Sequence, residues 1–167
     1  ADEYGLSHEG REYIKYATLL LDTGKLAVSE TILKKPDFLT EEEYDSVKAH
    51  PIKSAEIVKT IKALKPIVPI ILHHHERYDG KGYPKGLKGA KIPLGARILA
   101  VADAFEAMVC HRPYKKSVSF KRAVSEIEKH SGEQFDPEVV AAFKRAVKKG
   151  KIQKIAHHMR TEIKQTK

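Results

Sequence analysis

Apolar and polar positions along the chain recur mainly with the period of an α-helix, and runs with the two-residue period of a strand are scarce. In segment 11–22 the apolar side chains lie three and four residues apart, and Ser7 stands where an N-terminal cap is expected. Segment 92–109 is apolar around nearly its whole circumference, which is typical of a central buried helix. The pattern therefore predicts an all-α fold.

Capping residues, prolines and glycines predict where the other helices begin and end. Thr40 and Glu43 have the spacing of a capping box for a helix that ends near His50, and Pro51 is well placed to begin the next helix. One long loop, residues 78–92, interrupts the helical pattern. The remaining predicted boundaries are a start at Pro66, a stop at Gly80 and Gly82, a start at Asp136 and Pro137, and a stop at Gly150.

Length and charge indicate one domain with an anionic partner. The 167 residues are enough for a single core, which we assign to residues 1–150, followed by a basic C-terminal extension at 151–167. A net charge of +9 favours nucleotides, nucleic acid or acidic proteins as partners. The single cysteine, Cys110, is too few for a disulfide framework, and no apolar run approaches the roughly twenty residues of a membrane span. We therefore expect a cytoplasmic protein that does not enter the membrane.

Two acidic side chains stand in positions that do not suit a carboxylate. Asp103 lies within the apolar segment 92–109, where a buried charge without partners is strongly penalised, so it requires a cation or hydrogen-bond donors. Asp22 ends the first predicted helix, where a negative charge opposes the helix dipole. Both are candidates for binding a cation, and an ordinary acid at a helix end is the alternative for Asp22.

The stretch HHHERYDGKGYP, residues 73–84, places three histidines before a glycine-rich loop. Neighbouring residues of a regular helix point about 100° apart, so His74 and His75 can bind one ion only where the helix unwinds. With His50 and the two acids, they form a ligand set that suits Zn, Fe, Mn or Ni better than Ca or Mg. Spacing alone leaves a metal site and a solvated histidine cluster as equal alternatives.

Four stretches in unbroken order carry a resemblance to a known family. They are DTGKLAVSETILKKPDFLTEEEYDSVKAHP, HHERYDGKGYPKGLKGAKIPLGARILAVADAFEAM, HRPYK and FDPEVVAAF. Together they resemble the HD-GYP domain, a branch of the HD superfamily of metal-dependent phosphohydrolases. The resemblance implies a compact multi-helix fold with one long GYP loop. It also implies hydrolysis of cyclic di-GMP to pGpG or GMP, and attachment to a regulatory domain or signalling partner.

The resemblance also implies roles for individual residues. It places metal ligands at Asp22, His50, His74, His75 and Asp103, and substrate contacts at Lys25, Tyr83, Arg112 and Lys115. Asp22 and Lys25 would take part in catalysis, Asp22 as a bridging carboxylate and Lys25 at the substrate phosphate. Glu76 and Asp79 would orient a ligating histidine.

Two departures from the family pattern bear on activity. Leu21 stands where the family has the histidine of its His-Asp pair, and the family's first helix would lie upstream of residue 7. We expect one or two divalent ions, Fe or Mn first and Zn or Ni as alternatives, with weakened or absent hydrolysis. The alternatives are a degenerate cyclic-dinucleotide receptor or protein-interaction module and, ranked last, a basic helical protein that binds nucleic acid.

Overall fold

The computed structural model describes residues 1–110, 117–153 and 155. These residues contain eight α-helices and no strand, which confirms the predicted all-α fold. The helices are α1 (His8–Leu20), α2 (Glu30–Leu33), α3 (Glu41–Lys48), α4 (His50–Val58), α5 (Val68–Leu72), α6 (Leu94–Val109), α7 (Phe120–Lys129) and α8 (Pro137–Lys148). Short 3-10 helices occupy Asp2–Tyr4, Thr23–Ala27, Lys62–Ile67 and Gly89–Lys91. In the described part of the chain, no helix has both the length and the apolar character needed to span a bilayer.

Side-chain caps start the helices where the sequence predicts them. The Ser7 hydroxyl accepts a hydrogen bond from the amide of Gly10 at 3.1 Å, and Thr40 and Glu43 form the complete capping box. Asp136 accepts hydrogen bonds from the first amides of α8. Helices α2 and α7 are additions to the predicted set. Helix α5 is shorter than predicted at both ends, because a 3-10 helix occupies its predicted start and it ends at Leu72, well before the predicted stop at Gly80.

Helix α6 forms the centre of the fold and packs against α1, α5, α7 and α8. Its first turn approaches α5 closely because residue 95 is glycine. A Cβ at Gly95 would lie 2.7 Å from the side chain of Ile70. Leu21, at the end of α1, is one of the buried residues of the same apolar core. The other large members are Ile14, Val58, Ile67, Ile71, Ile98, Leu99, Val101, Ile127, Phe135, Val139 and Val140.

Two packing contacts bring the predicted site residues together. Helix α4 packs against both the 3-10 helix Thr23–Ala27 and helix α5, so the end of α1, the start of α4 and the end of α5 meet. The predicted long loop lies beside this meeting point and is held by the connection between α7 and α8. The amides of Tyr78 and Asp79 donate to the carbonyls of Gln134 and Glu133, at 3.1 and 2.7 Å.

Candidate metal centre

Three imidazoles converge where α4 begins and α5 ends. His50 is the first residue of α4, and His74 and His75 lie in the turn that follows Leu72, the last residue of α5. The helix has thus ended before His74 and His75, which is the condition for both side chains to bind one ion. One ring nitrogen from each of the three histidines lies within 4.8 Å of the other two.

Backbone carbonyls fix the orientation of two of these rings. Nδ1 of His50 lies 2.7 Å from the carbonyl oxygen of Val47, and Nδ1 of His74 lies 2.6 Å from that of Ile71. Because a carbonyl oxygen only accepts, each Nδ1 carries the proton and each Nε2 offers a lone pair. The two Nε2 atoms face one another at 3.3 Å. Two lone pairs at this distance repel unless a cation lies between them, so the donor set fits a metal ion.

Burial keeps the three imidazoles in the neutral form that binds metals. It lowers the pKa of His74 to about 4 and that of His75 to about 3, where the charges of His74 and His50 add to the effect. Burial also lowers the pKa of His50. Metal ions compete with protons for imidazole nitrogen, so at neutral pH no proton has to be removed before a metal binds.

These lowered pKa values predict an acid-sensitive metal-free domain. In an unfolded chain the imidazoles titrate near pH 6.5. Between pH 6.5 and about 4 the unfolded state therefore binds more protons than the folded state, and the free energy of unfolding falls as the pH falls. We expect a loss of several kcal/mol over this window, measured by urea unfolding of the metal-free protein at successive pH values.

The double variant His74→Gln/His75→Gln should flatten this pH dependence because glutamine does not titrate. The variant His130→Gln is the control, since His130 is an exposed histidine beside Glu126 and Glu133. Equal slopes for the double variant and the wild type would contradict the assignment of the acid sensitivity to the cluster.

Asp22 lies at the edge of the histidine cluster, between a histidine and a lysine. One carboxylate oxygen is 3.4 Å from Nε2 of His50, and the other accepts a hydrogen bond from the Lys25 ammonium at 2.8 Å. The side chain is 49% exposed, so it faces solvent at the mouth of the site. The structure thus brings Asp22, His50 and Lys25 together.

Ser54 holds the turn that carries Asp22, and the sequence analysis did not single it out. Its hydroxyl donates to the carbonyl of Leu21 at 2.7 Å and accepts from the amide of Gly24 at 2.8 Å. Residue 24 must be glycine, because a Cβ there would lie 2.3 Å from the carbonyl oxygen of His50. A serine inside α4 carries no sequence signal for a partner 33 residues away.

Asp103 differs from its predicted environment. The apolar pattern of α6 predicts a buried carboxylate, whereas the structure leaves Asp103 only half-buried, on the side of the helix near the site. Its negative charge acts on the pKa values of both His50 and Tyr83, which places the carboxylate near the cluster. Among the described residues, the group of potential metal-ligand atoms that lie within 4.8 Å of one another consists of the ring nitrogens of His50, His74 and His75, and Asp103 does not belong to it.

Glu76 and Asp79 bind the loop rather than a histidine of the cluster. The buried carboxylate of Glu76 accepts hydrogen bonds from the amides of Lys85 and Leu87, at 2.7 and 3.0 Å, and lies 3.4 Å from Nδ1 of His73. Asp79 accepts from Arg77 and from the amide of Lys81. The predicted contact with a ligating histidine is corrected accordingly. These carboxylates are close in sequence to His74 and His75, but their hydrogen bonds are made to Arg77 and to backbone amides of the loop.

We expect Glu76→Gln to destabilise the domain by about 1–3 kcal/mol. The glutamine NH₂ would face one of the two loop amides, so a buried donor would lose its acceptor. Urea unfolding at pH 7 measures the change, with Glu56→Gln as the control because Glu56 is an exposed residue 3.6 Å from Lys53. A loss no larger in Glu76→Gln than in the control would contradict the role of Glu76 in holding the loop.

Tyr83 connects the loop to the histidines. Its amide donates to the carbonyl of His75 at 3.2 Å, and its ring centroid lies 4.9 Å from that of His75. Gly82 permits this approach, since a Cβ there would lie 2.6 Å from the carbonyl oxygen of His75. Arg112 and Lys115, the other predicted substrate contacts, lie outside the described residues.

Comparisons with known proteins identify the family of this chain. A family model described as HD domain matches residues 1–139. The cyclic di-GMP phosphodiesterase of Thermotoga maritima is 44% identical over 147 residues, which cover 86% of this chain and 39% of that protein. The cyclic di-GMP phosphodiesterase response regulator RpfG of Xanthomonas campestris is 42% identical, over 87% of this chain and 39% of that protein. The 3′3′-cGAMP-specific phosphodiesterase 3 of Vibrio cholerae is 37% identical, over 88% of this chain and 32% of that protein.

One solved structure has the same fold. A cyclic GMP-AMP-specific phosphodiesterase of Vibrio cholerae, V-cGAP3, superposes with a TM-score of 0.69 and 18% identity, over 93% of this chain and 44% of that chain. The chain spans about two fifths of the length of the first two of these relatives. The family resemblance found in the sequence is confirmed, and the chain belongs to the HD domain family.

Proposed function

We propose that this domain binds a divalent transition metal and acts on the phosphodiester of a cyclic dinucleotide, with cyclic di-GMP as the first candidate substrate. The observation that carries the proposal is the convergence of three neutral imidazoles with two Nε2 lone pairs 3.3 Å apart. Relatives named as cyclic di-GMP phosphodiesterases supply the reaction class.

His50, His74 and His75 would hold the metal, with Asp22 as the adjacent carboxylate and Asp103 as a further one. Fe or Mn is the first candidate, and Zn or Ni are alternatives, since imidazole and carboxylate accept all four. The bound ion supplies Lewis acidity towards a phosphodiester and towards water. Asp22 lies 3.4 Å from Nε2 of His50, so its charge would stabilise a cation at the histidines.

Lys25 is the side chain we assign to the substrate phosphate. Its ammonium is 2.8 Å from the Asp22 carboxylate and its side chain is 38% exposed, so Lys25 lies at the solvent-facing side of the cluster. Burial is the main cause of the lowered pKa values of His74 and His75, and the positive charge of Lys25 lowers both pKa values further. An ammonium is a compact charge suited to a phosphate oxygen. Tyr83, Arg112 and Lys115 are proposed as the remaining substrate contacts.

Leu21 favours a second candidate function, a receptor that binds the nucleotide without hydrolysing it. Its side chain is buried in the apolar core and offers no ligand atom beside Asp22. Hydrolysis of phosphodiesters at such sites commonly uses two metals about 3.5–4 Å apart. A domain whose only strong metal site is the three-histidine cluster would still bind the nucleotide, but it would hydrolyse the nucleotide slowly or not at all.

The test is incubation of the manganese- or iron-loaded protein with cyclic di-GMP without oxygen, with products separated by chromatography and binding followed by equilibrium dialysis. Formation of pGpG or GMP supports the enzyme, and saturable binding without product supports the receptor. The absence of both contradicts the proposed function. An affinity for cyclic di-GMP that falls steeply with salt and is unchanged in His74→Gln would instead indicate electrostatic binding of phosphates by the basic surface, as in proteins that bind nucleic acid.

For the whole protein we propose a cytoplasmic signalling role, with a regulatory domain or signalling partner attached to this one. The support is the length of the relatives, of which this chain spans about two fifths, and the words "response regulator" in the name of one of them.

A further inference from the structure

Helix α4 presents two buried polar side chains on one face. His50 and Ser54 are four residues apart, so they are neighbours along the helix surface. Ser54 is fully buried, although serine is usually found at the surface of a protein. A buried hydroxyl requires hydrogen-bond partners, and both partners of Ser54 lie in the turn that carries Asp22.

The Ser54 hydroxyl is bonded to this turn on both sides of Asp22. It donates to the carbonyl of Leu21, the residue before Asp22, at 2.7 Å. It accepts from the amide of Gly24, two residues after Asp22, at 2.8 Å. The backbone of Asp22 therefore cannot move away from α4 unless a buried hydrogen bond is broken, which is costly for the group left without a partner.

Gly24 brings the same turn against the backbone of α4. A Cβ on residue 24 would lie 2.3 Å from the carbonyl oxygen of His50 and 2.5 Å from the amide nitrogen of Ser54. The turn thus contacts the helix at the residue that carries the first imidazole as well as at Ser54. Asp22 and His50 are held together by these backbone contacts and by the hydroxyl of Ser54.

The Asp22 carboxylate depends on this attachment for its place beside the histidines. One of its oxygens lies 3.4 Å from Nε2 of His50. The carboxylate forms no capping hydrogen bond at the start of its own 3-10 helix, Thr23–Ala27. Its other polar contact, the ammonium of Lys25, belongs to the same turn and would move with it. The distance between Asp22 and His50 is therefore set by how the turn is fastened to α4.

We propose that Ser54 is a positioning residue, which ties the turn of Asp22 to the helix of His50 and so makes the Asp22 carboxylate available to a metal ion at the histidines. The inference rests on the proposed function and adds to it a side chain that holds a ligand in place. An ion gains from a carboxylate only if the oxygen is held at coordination distance, about 2 Å. A turn that is free to move has to be ordered first, at the expense of affinity.

A double-mutant cycle on the dissociation constant of Mn²⁺ tests this role. Isothermal titration calorimetry is applied to the wild type, Ser54→Ala, Asp22→Asn and the variant with both changes. We expect Ser54→Ala to weaken Mn²⁺ binding roughly 10- to 100-fold, the usual effect of losing a group that orients a ligand. In the Asp22→Asn background the same change should weaken binding less than about threefold, because the ligand that Ser54 positions is already lost. A role in stability alone gives the same factor in both backgrounds.

Val140→Ala is the control for a buried change that weakens the core. Val140 is a buried residue of α8, a helix that packs against α6, α7 and the 3-10 helix Asp2–Tyr4. It should change the Mn²⁺ affinity less than about threefold in either background. If Ser54→Ala does not fold, Ser54→Cys replaces it in the cycle, because a thiol has a similar shape but forms only weak hydrogen bonds. Its loss of affinity should be smaller and should again depend on Asp22.

The outcomes separate this inference from the proposed function. Equal factors in the two backgrounds, or a wild-type affinity in the Ser54 variant, overturn the positioning role and leave the proposed function standing. A loss in Val140→Ala as large as in the Ser54 variant also overturns it, since a weaker core would then explain both. A wild-type protein that does not bind Mn²⁺ overturns both proposals. Thermal unfolding is measured for every variant, and each titration is made at a temperature where the variant is folded.

Discussion

Replacing His74 with glutamine should reduce the affinity of the domain for Mn²⁺ by roughly 100-fold or more, since changes one step further from a metal already cost 10- to 100-fold. The side chain of His74 is buried, and its Nε2 atom is directed at Nε2 of His50 by the hydrogen bond of its Nδ1 to Ile71. Glutamine approximates the volume but offers a weaker amide oxygen. Isothermal titration calorimetry of the metal-free protein with Mn²⁺ measures the change in affinity.

His73→Gln is the matched control for this prediction. His73 is adjacent in sequence, but its Nδ1 atom lies 3.4 Å from Glu76, and it does not belong to the group of nitrogens that converge. Its replacement should change the Mn²⁺ affinity less than threefold. A similar loss of affinity in both variants would mean that the three-histidine centre has been assigned to the wrong residues.

The variant Leu21→His should bind one metal ion more per chain than the wild type and hydrolyse cyclic di-GMP at least tenfold faster. An imidazole at position 21 would stand directly beside Asp22, where the wild type offers a buried leucine. Phosphodiester hydrolysis at such sites commonly requires a second metal ion. Adding a metal ion or a general acid-base group typically raises the rate of hydrolysis tenfold or more. Metal content is measured by atomic emission, and the products are measured by chromatography.

Leu21→Gln separates the metal effect from the damage to the core. Either polar replacement should destabilise the metal-free domain by about 2–4 kcal/mol, because a buried leucine is lost. Added Mn²⁺ should restore stability to the histidine variant more than to the glutamine variant, since only a ligand couples metal binding to folding. An unchanged metal stoichiometry in Leu21→His would falsify the role assigned to position 21.

The sequence by itself determined the features that depend on short-range interactions. The helical period, the capping box of Thr40 with Glu43 and the caps at Ser7 and Asp136 are formed by residues within a few positions of one another, so their pattern is legible in the chain. The condition that a helix must end before His74 and His75 if both bind one ion also follows from the sequence, because adjacent side chains on a regular helix cannot converge. The actual helix end, at Leu72 rather than near Gly80, is a result of the structure. The order of the motifs was enough to identify the family.

Only the tertiary structure decided how the polar groups of the site are paired and how deeply each is buried. The Ser54 hydroxyl bonds to the carbonyl of Leu21, 33 residues away, and the Glu76 carboxylate accepts from the amides of Lys85 and Leu87 and contacts no histidine of the cluster. Asp103 is half-buried although its helix is almost wholly apolar. A hydrogen bond forms with whichever donor the packing of distant segments brings within about 3 Å, and side-chain burial depends on the same packing. The order of residues along the chain specifies neither the partners of these hydrogen bonds nor the burial of these side chains.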